Sequence, residues 1–187
     1  MSNYYYLGAQ LPYIIYGQPV PVSSWDFREM AMREMDRSDA RDLEFCTLEP
    51  IPQEKLTEAK VSSNLIKAWH NWEEVLRLNL AKNRSMKLNR YDVVFENVPE
   101  APHDAVAAAK NAFNADSPLE GEFILDKARW NAIEDFLGAE YFSANVVYAF
   151  LLKLQLMERK LTFDADEGFA EYKNIYASIL TKTGDPA

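Results

Sequence analysis

The stretch SPLEGEFILDKARWNAIEDFLG, residues 117–138, decides the fold class because it predicts one complete helix. Ser117 can serve as the N-cap, Pro118 suits the first helical position, and Glu120 completes a capping box. Gly138 suits the left-handed position that ends a helix. Since the start and stop signals agree, the sequence predicts a helix between these caps.

One carboxylate lies on the apolar face of this predicted helix. At 100° per residue, Asp126 falls in the middle of the face formed by apolar residues, which are Leu119, Phe123, Trp130, Ile133 and Leu137. A buried carboxylate must be paired, hydrogen-bonded or protonated. Three interpretations stay open. Asp126 is a structural residue, paired with a basic side chain such as Arg159 or capping a restarted helix, or it is a catalytic acid, or it contacts a partner.

Most of the remaining sequence also has helical patterns. The longest begins near Ser62, where the apolar residues follow the 3.6-residue period, namely Leu65, Trp69, Trp72, Leu76 and Leu80. Ser143 can cap a later helix that is apolar nearly all round, which predicts a position at the centre of a bundle. Further helices are predicted after Ser23 or Ser24, after Ser38, in the segment 102–115 and in the segment 166–182. We therefore predict an all-α, multi-helix bundle with one long helix.

The sequence of two segments is compatible with more than one local structure. YYYLGAQLPYIIYG (residues 4–17) has helix formers ahead of Pro12, which favours a short helix over a strand. RYDVVFENV (residues 90–98) is rich in strand formers and predicts a short extended segment near 91–98, either as a connection or as a ribbon with the N-terminal stretch. We predict a single helical domain over 1–187, with an N-terminal lobe over 1–60 and a helical core over 61–183.

The charge and cysteine content narrow the class of protein. The chain has 187 residues, with 20 Lys and Arg against 29 Asp and Glu, a net charge of −9. Nucleic-acid binding needs a basic surface, so we expect no nucleic-acid partner.

Cys46 is the only cysteine, which favours a reducing compartment. No Lys or Arg precedes Arg28, so the start does not resemble a signal peptide. We expect a cytoplasmic protein with no direct membrane insertion, because the most apolar run (146–157) is too short to span a bilayer.

The motifs that carry chemistry are missing from the sequence. There is no glycine-rich phosphate-binding loop, and His70, His103 and Cys46 are too far apart in sequence to form a close-spaced metal-ligand pair. DADEG (164–168) resembles a calcium loop, but its twelfth position is Ile175 and not Glu. We therefore expect no catalytic residue, no cofactor and no metal, and a protein that is not an enzyme.

Two groups of residues are candidates for partner binding. Between Lys60 and Tyr91 there are seven basic and two acidic residues, a local balance of +5. This segment is either a solvated helix face or a docking surface for an acidic partner. Its densest part holds the basic candidates, which are Lys82, Arg84, Lys87 and Arg90. The aromatic candidates are Tyr5, Tyr6 and Tyr13, which a short N-terminal helix would leave exposed. Self-association is a further possibility.

Two blocks of the sequence carry a resemblance to a known family. The first is NYYYLGAQLPYI (3–14) followed by PVPVSSWDF (19–27). The second is LDKARWNAIEDFL (125–137), FSANVVYAFLLKLQLMERK (142–160) and EGFAEY (167–172). Taken in this order, they resemble an uncharacterised bacterial family encoded among the genes of V/A-type ATP synthases. Where that family has an aromatic residue after Glu-Arg, this chain has Lys160, while the middle of the chain matches poorly.

The resemblance implies an association with the rotary ATPase at its cytoplasmic central stalk. It also implies a relation to the C (or d) subunit, which joins the central shaft to the membrane rotor, begins with a Tyr-rich segment and is all-helical. No catalytic residue carries over. The expected function is a non-enzymatic subunit or assembly protein of a V/A-type ATPase, peripheral at the inner membrane through that complex. The alternative is a small helical ligand-binding module or enzyme with an aromatic pocket around Asp126.

Overall fold

The computed structural model describes residues 4–89, 103–163 and 165–182, and within them the protein is all helical. The bounds are, in chain order, α1 Tyr5–Gln10, α2 Ser24–Glu34, α3 Arg37–Asp42, α4 Gln53–Glu58, α5 Asn64–Lys87, α6 His103–Phe113, α7 Pro118–Leu137, α8 Ala144–Leu161 and α9 Ala165–Lys182. A 3-10 turn, Leu43–Phe45, continues α3. The prediction of an all-α bundle with one long helix is confirmed, and that helix is α5. The extended segment predicted near 91–98 lies outside the described residues.

The capping signals in the sequence place several helix ends correctly. The Ser117 hydroxyl accepts a hydrogen bond from the backbone N–H of Glu120 at 3.1 Å. Gly138 ends α7 with a φ of +56°, in the region that favours glycine. The Ser63 hydroxyl caps α5 by accepting from the backbone N–H of Ile66 at 3.3 Å. Ser23 caps α2 in the same way, accepting from the backbone N–H of Asp26 at 3.0 Å.

Two other serines predicted as N-caps make no cap hydrogen bond, although Ser143 does hold the N-cap position of α8. Ser38 lies inside α3, which begins at Arg37 after Asp36. Ser143 does precede α8, but its hydroxyl donates to the carboxylate of Glu140 and makes no cap hydrogen bond. At Ser38 the helix begins one residue earlier than the predicted cap. At Ser143 the neighbouring carboxylate of Glu140 binds the hydroxyl, which is then not used for capping.

The centre of the bundle is formed by α5, α7 and α8. Helix α5 packs against α4, α6, α7 and α8, and α7 packs against α6 and α8. Helix α8 is buried on nearly all sides from Val147 to Met157, which confirms its predicted central position. The indole N–H of Trp72 on α5 donates to Asp104 on α6 at 2.9 Å. Helix α2 covers α8 and is tied to it by the backbone N–H of Ser24, which donates to Glu158 at 2.6 Å.

The N-terminal stretch forms a short helix that packs on the rest of the bundle, as predicted. Tyr4 and Leu7 are buried, and the backbone N–H of Tyr4 donates to the carbonyl of Phe142 at 2.7 Å. At Gly8 an added Cβ would lie 3.1 Å from the Tyr141 carbonyl oxygen, so a glycine allows α1 to approach the α7–α8 connection closely. The buried cluster includes residues from both 1–60 and 61–183, and the proposed boundary between lobe and core stays a prediction.

Helix α9 differs from the other long helices. It packs closely against none of the other described helices. Every residue from Gly168 to Ser178 is exposed. None of the helices in the described parts of the chain is long and apolar enough to cross a lipid bilayer.

Gly121 and Gly168 give a matched test of helix packing. At Gly121 on α7 an added Cβ would lie 2.9 Å from the carbonyl oxygen of Ala112 on α6, whereas at Gly168 it would meet open space. We expect Gly121→Ala to lower the free energy of unfolding by about 1–2 kcal/mol, because the two helix backbones must move apart. Gly168→Ala should be neutral or stabilise slightly through helix propensity. Urea unfolding of both variants measures this, and equal effects would contradict the close α6–α7 approach.

Candidate functional site

Asp126 lies fully buried between α7 and α8 and is paired with two arginines. Its Oδ1 accepts one hydrogen bond from Nη1 of Arg129, on the next turn of α7, at 2.9 Å. The same oxygen accepts from Nη1 of Arg159 on α8, also at 2.9 Å. The structure therefore brings the two polar residues selected from the sequence, Asp126 and Arg159, into direct contact.

Arg129 extends this ion pair to the long helix α5. Its Nε donates to Oε2 of Glu73 at 3.0 Å, and its Nη2 donates to Oε1 of Glu73 at 2.9 Å. Both side chains are buried, and the two parallel bonds form a bidentate pair. Glu73 also accepts from Nε of Arg77, one turn further along α5, at 2.8 Å. Arg129 therefore links a carboxylate on α5 to a carboxylate on its own helix.

The charges of this buried network balance. The outermost bond joins Arg159 to Glu122 at 2.6 Å. Three carboxylates (Glu73, Asp126 and Glu122) thus meet three guanidinium groups (Arg77, Arg129 and Arg159). Burying charges costs desolvation energy, which pairing offsets only when the geometry is good. Only Glu73, Asp126 and Arg129 are fully buried, whereas Arg77, Glu122 and Arg159 are part-exposed. The buried three constrain how the helices fit together, and losing Arg129 would leave both buried carboxylates with only a part-exposed partner.

Glu73 and Arg129 were not predicted from the sequence as members of a buried site. Glu73 lies four residues after Trp69 and three before Leu76, so it falls on the apolar face of α5. The same rule that selected Asp126 would have selected it. Glu73 also lies four residues before Arg77, a spacing that is typical of an exposed i,i+4 ion pair.

Tyr16 lies next to the network and shares an unusual feature with Asp126. The phenol oxygen of Tyr16 and the Oδ2 of Asp126 are buried and have no hydrogen-bond partner among the described residues. The Tyr16 ring packs on Trp130, with ring centroids 5.6 Å apart, and Nζ of Lys160 lies 4.8 Å from its centroid. Tyr16 and Trp130 line a cavity of about 560 Å³ between the N-terminal segment, α7 and α8.

Burial raises the pKa of both groups. It raises the pKa of Asp126, although the guanidinium groups of Arg159 and Arg129 oppose the change. It also raises the pKa of Tyr16, and the charge of nearby Asp126 adds to that increase. Two acidic groups with raised pKa values thus lie near one another.

The residues predicted to bind partners lie at the surface, in two separate places. Tyr5, Tyr6 and Tyr13 are 61%, 75% and 89% exposed. The Tyr5 ring lies 4.6 Å from that of Phe142, just ahead of α8. The basic candidates Lys82, Arg84 and Lys87 are exposed on the last turns of α5, whereas Arg90 lies outside the described residues.

These two surfaces lie at opposite ends of the bundle. The Ser63 hydroxyl, ahead of α5, donates to Asn145 in the first turn of α8 at 2.8 Å, so both helices begin at the same end. Tyr5 and Tyr6 lie at that end. The first basic candidate, Lys82, lies 18 residues after Asn64 at the start of α5, which is a rise of about 27 Å. The structure therefore does not bring the tyrosines and the basic residues together.

The histidine and cysteine side chains that the structure describes are accounted for by packing. Nε2 of His70 lies 2.8 Å from the carbonyl oxygen of Phe45, and burial lowers the pKa of this imidazole. Cys46 is buried, which raises the pKa of its thiol. Within the described ranges, no group of three or more His, Cys, Asp or Glu side chains could hold a metal ion.

The fold and this network define an all-α protein whose three central helices are joined by buried ion pairs. Residues 109–183, less than half of the chain, match a family described as a protein of unknown function (DUF2764). The matched segment runs from within α6 to one residue past the end of α9, so it includes Asp126, Arg129 and Arg159. No curated protein and no solved structure matches the chain.

Asp126→Ala tests the network directly. We expect it to lower the free energy of unfolding by about 3–5 kcal/mol, because Arg129 and Arg159 lose a shared buried partner. Asp135→Ala is the control, since it removes an exposed carboxylate from the same helix and should change the value by less than about 0.5 kcal/mol. Urea unfolding at neutral pH measures both variants. A similar, small effect of the two substitutions would show that the ion pair contributes little.

Proposed function

We propose that the chain is a non-enzymatic subunit or assembly protein of a V/A-type ATPase that packs its helices against central-stalk subunits. The observation that carries this proposal is the aromatic surface at the end of the bundle where α5 and α8 begin. Tyr5 and Tyr6 on α1 are exposed there, beside Tyr141 and Phe142. Exposed aromatic patches of this kind are typical of protein–protein contact sites.

The same end of the bundle offers a concave site. A cavity of about 750 Å³ opens between the start of α5 and the α7–α8 connection. Its apolar lining includes Leu65, Phe136, Tyr141, Phe142 and Tyr148. A partner side chain can anchor in such a cavity while the surrounding tyrosines cover it, which is how hot spots of protein interfaces are built.

The choice of partner rests on the resemblance to the family encoded with V/A-type ATP synthases. The N-terminal block of that resemblance contributes Tyr5 and Tyr6 to the aromatic surface. The C-terminal block contains Asp126, Arg129 and Arg159, which position α7 against its neighbours. One block thus supplies the contact surface and the other its scaffold. In this proposal the protein is cytoplasmic, and it reaches the inner membrane only through the ATPase.

A ligand-binding role for Asp126 is the second candidate function. It is favoured by the buried oxygens of Tyr16 and Asp126, which have no hydrogen-bond partner among the described residues. A small polar molecule that donates to the carboxylate and accepts from the phenol would satisfy both. One internal water molecule would satisfy them equally well.

Co-purification from the protein's own cell tests the first candidate. The tagged chain, released by gentle solubilisation, should retain catalytic and stalk subunits of the ATPase. Replacing both tyrosines (Tyr5→Ser with Tyr6→Ser) should reduce that recovery at least about tenfold, since each truncated aromatic anchor costs of the order of 1 kcal/mol or more. The control is Trp25→Ser, which removes an aromatic side chain that is 69% exposed on α2.

Recovery of other proteins without any ATPase subunit would contradict the proposal, and so would equal recovery by the two variants. Native mass spectrometry of the same preparation examines the second candidate. A bound small molecule that is lost in Tyr16→Phe would favour a ligand site, whereas the mass of the bare chain would exclude it.

A further inference from the structure

The cavity of about 750 Å³ where α5 and α8 begin has acidic residues in its lining and no basic ones. Asp39 on α3 and Glu140, just ahead of α8, both line it. Among the described residues, no Lys, Arg or His belongs to the lining. The cavity is therefore acidic as well as aromatic.

Neutral groups bind the two carboxylates of this lining. Oδ2 of Asp39 accepts a hydrogen bond from the Tyr4 phenol at 2.6 Å. Oε2 of Glu140 accepts from the Ser143 hydroxyl and from Nδ2 of Asn145, the latter at 2.9 Å. Within the part of the chain that the structure describes, neither carboxylate forms an ion pair. This arrangement differs from the central network, where each carboxylate meets a guanidinium group.

A third carboxylate lies directly behind the lining. Asp42 is fully buried, and its Oδ2 accepts from the backbone N–H groups of Ser62 at 2.8 Å and Ser63 at 3.1 Å. Both serines line the cavity. Oδ1 of Asp42 is buried and has no hydrogen-bond partner among the described residues. A buried carboxylate without a basic partner is costly, so a cation placed near it would be stabilised.

The helix N-termini at the cavity offset only part of this negative charge. The first residues of α5 and of α8 line it, and the positive end of a helix is equivalent to about half an elementary charge. Two such ends supply about +1 against the three carboxylates, which leaves about −2. The cavity therefore favours a cation over an anion.

The aromatic residues of the lining suit a flat cation. Tyr141 and Phe142 are 70% and 42% exposed, and their ring centroids lie 6.4 Å apart. An arginine side chain can stack its guanidinium plane on such rings and donate from five N–H groups to several oxygens at once. The ammonium group of lysine is more strongly hydrated and has no plane to stack. The lining thus matches arginine better than lysine.

We propose that this cavity binds an exposed arginine side chain of the protein partner, and that this arginine anchors the contact. The inference rests on the proposed function for the existence of a partner and adds the chemistry that the partner presents. The cavity volume lies in the range of about 300–1,000 Å³ that is usual for binding pockets, so one long side chain can enter it. Tyr5, whose ring lies 4.6 Å from that of Phe142, then shields the docked side chain from water.

A pair of small probes tests the chemistry of the cavity. The probe is N-acetyl-arginine amide, and the matched control is N-acetyl-citrulline amide, which has nearly the same shape without the charge. Binding to the purified full chain is measured by nuclear magnetic resonance titration at constant ionic strength. The arginine probe should bind with a dissociation constant of the order of 1 mM, because a ligand of this size gains little affinity, and it should shift the signals of the lining residues. The citrulline probe should bind at least about tenfold more weakly.

Two isosteric variants locate the binding. Glu140→Gln and Asp39→Asn each remove one charge but keep an oxygen that accepts the existing hydrogen bonds, so the fold is retained. Each should weaken binding of the arginine probe at least about fivefold. The control is Asp135→Asn, which neutralises an exposed carboxylate on α7 outside the cavity and should change binding by less than about twofold.

Three results would overturn the arginine site. They are equal binding of the two probes, binding that neither Glu140→Gln nor Asp39→Asn weakens, and a preference of the cavity for inorganic phosphate over the arginine probe. The last result would show that the helix N-termini, and not the carboxylates, determine the charge of the ligand.

Co-purification separates failure of this inference from failure of the proposed function. If the arginine probe binds as expected but no ATPase subunit is recovered, the arginine site stands and the proposed function fails. If the original chain and Glu140→Gln recover ATPase subunits equally and the probe does not bind, the proposed function stands and the arginine site fails.

Discussion

The bidentate pair between Arg129 and Glu73 is the interaction on which the rest of the bundle depends. It is buried, it joins α7 to α5, and through Asp126 and Arg159 it extends to α8. Hydrophobic contacts alone would tolerate a shift of one helix along another, because apolar packing is not directional. A buried guanidinium that must meet carboxylates on two helices tolerates no such shift, and we therefore regard the network as the feature that fixes the relative positions of the central helices.

The sequence predicted this centre only in part. Asp126 was found because a single carboxylate on an apolar face is visible on a helical wheel, and Arg159 followed as a basic residue on the next helix. Glu73 was missed because its local partner Arg77 made it resemble a surface residue. The pairing of Glu73 with Arg129 spans 56 positions, and no local pattern specifies a contact at that separation.

Helix α9 also shows that a local pattern does not specify contacts with distant residues. Its apolar period predicted a helix, and the helix is present, but an apolar stripe does not say which surface covers it. The capping signals were reliable where the competing groups were few, as at Ser117 and Gly138. At Ser143 the hydroxyl instead donates a hydrogen bond to the neighbouring carboxylate of Glu140. The local sequence thus predicted the helices and several of their caps. Which surfaces these helices contact is determined by residues far away in sequence.

The charged interior lies between the two surfaces that the sequence predicted for partner binding. The aromatic surface around Tyr5 and Tyr6 lies where α5 and α8 begin, and the basic residues Lys82, Arg84 and Lys87 lie where α5 ends. The proposed contact with the ATPase uses the first of these two ends.

A double-mutant cycle on Glu73 and Arg129 tests the central claim most directly. The free energy of unfolding is measured by urea for the original chain, for Glu73→Gln, for Arg129→Met and for the double variant. If the pair acts as one unit, each single change costs about 3–5 kcal/mol, and the double change costs less than their sum by at least about 1.5 kcal/mol. Costs that add to within about 0.5 kcal/mol would contradict the account, because the two side chains would then contribute independently.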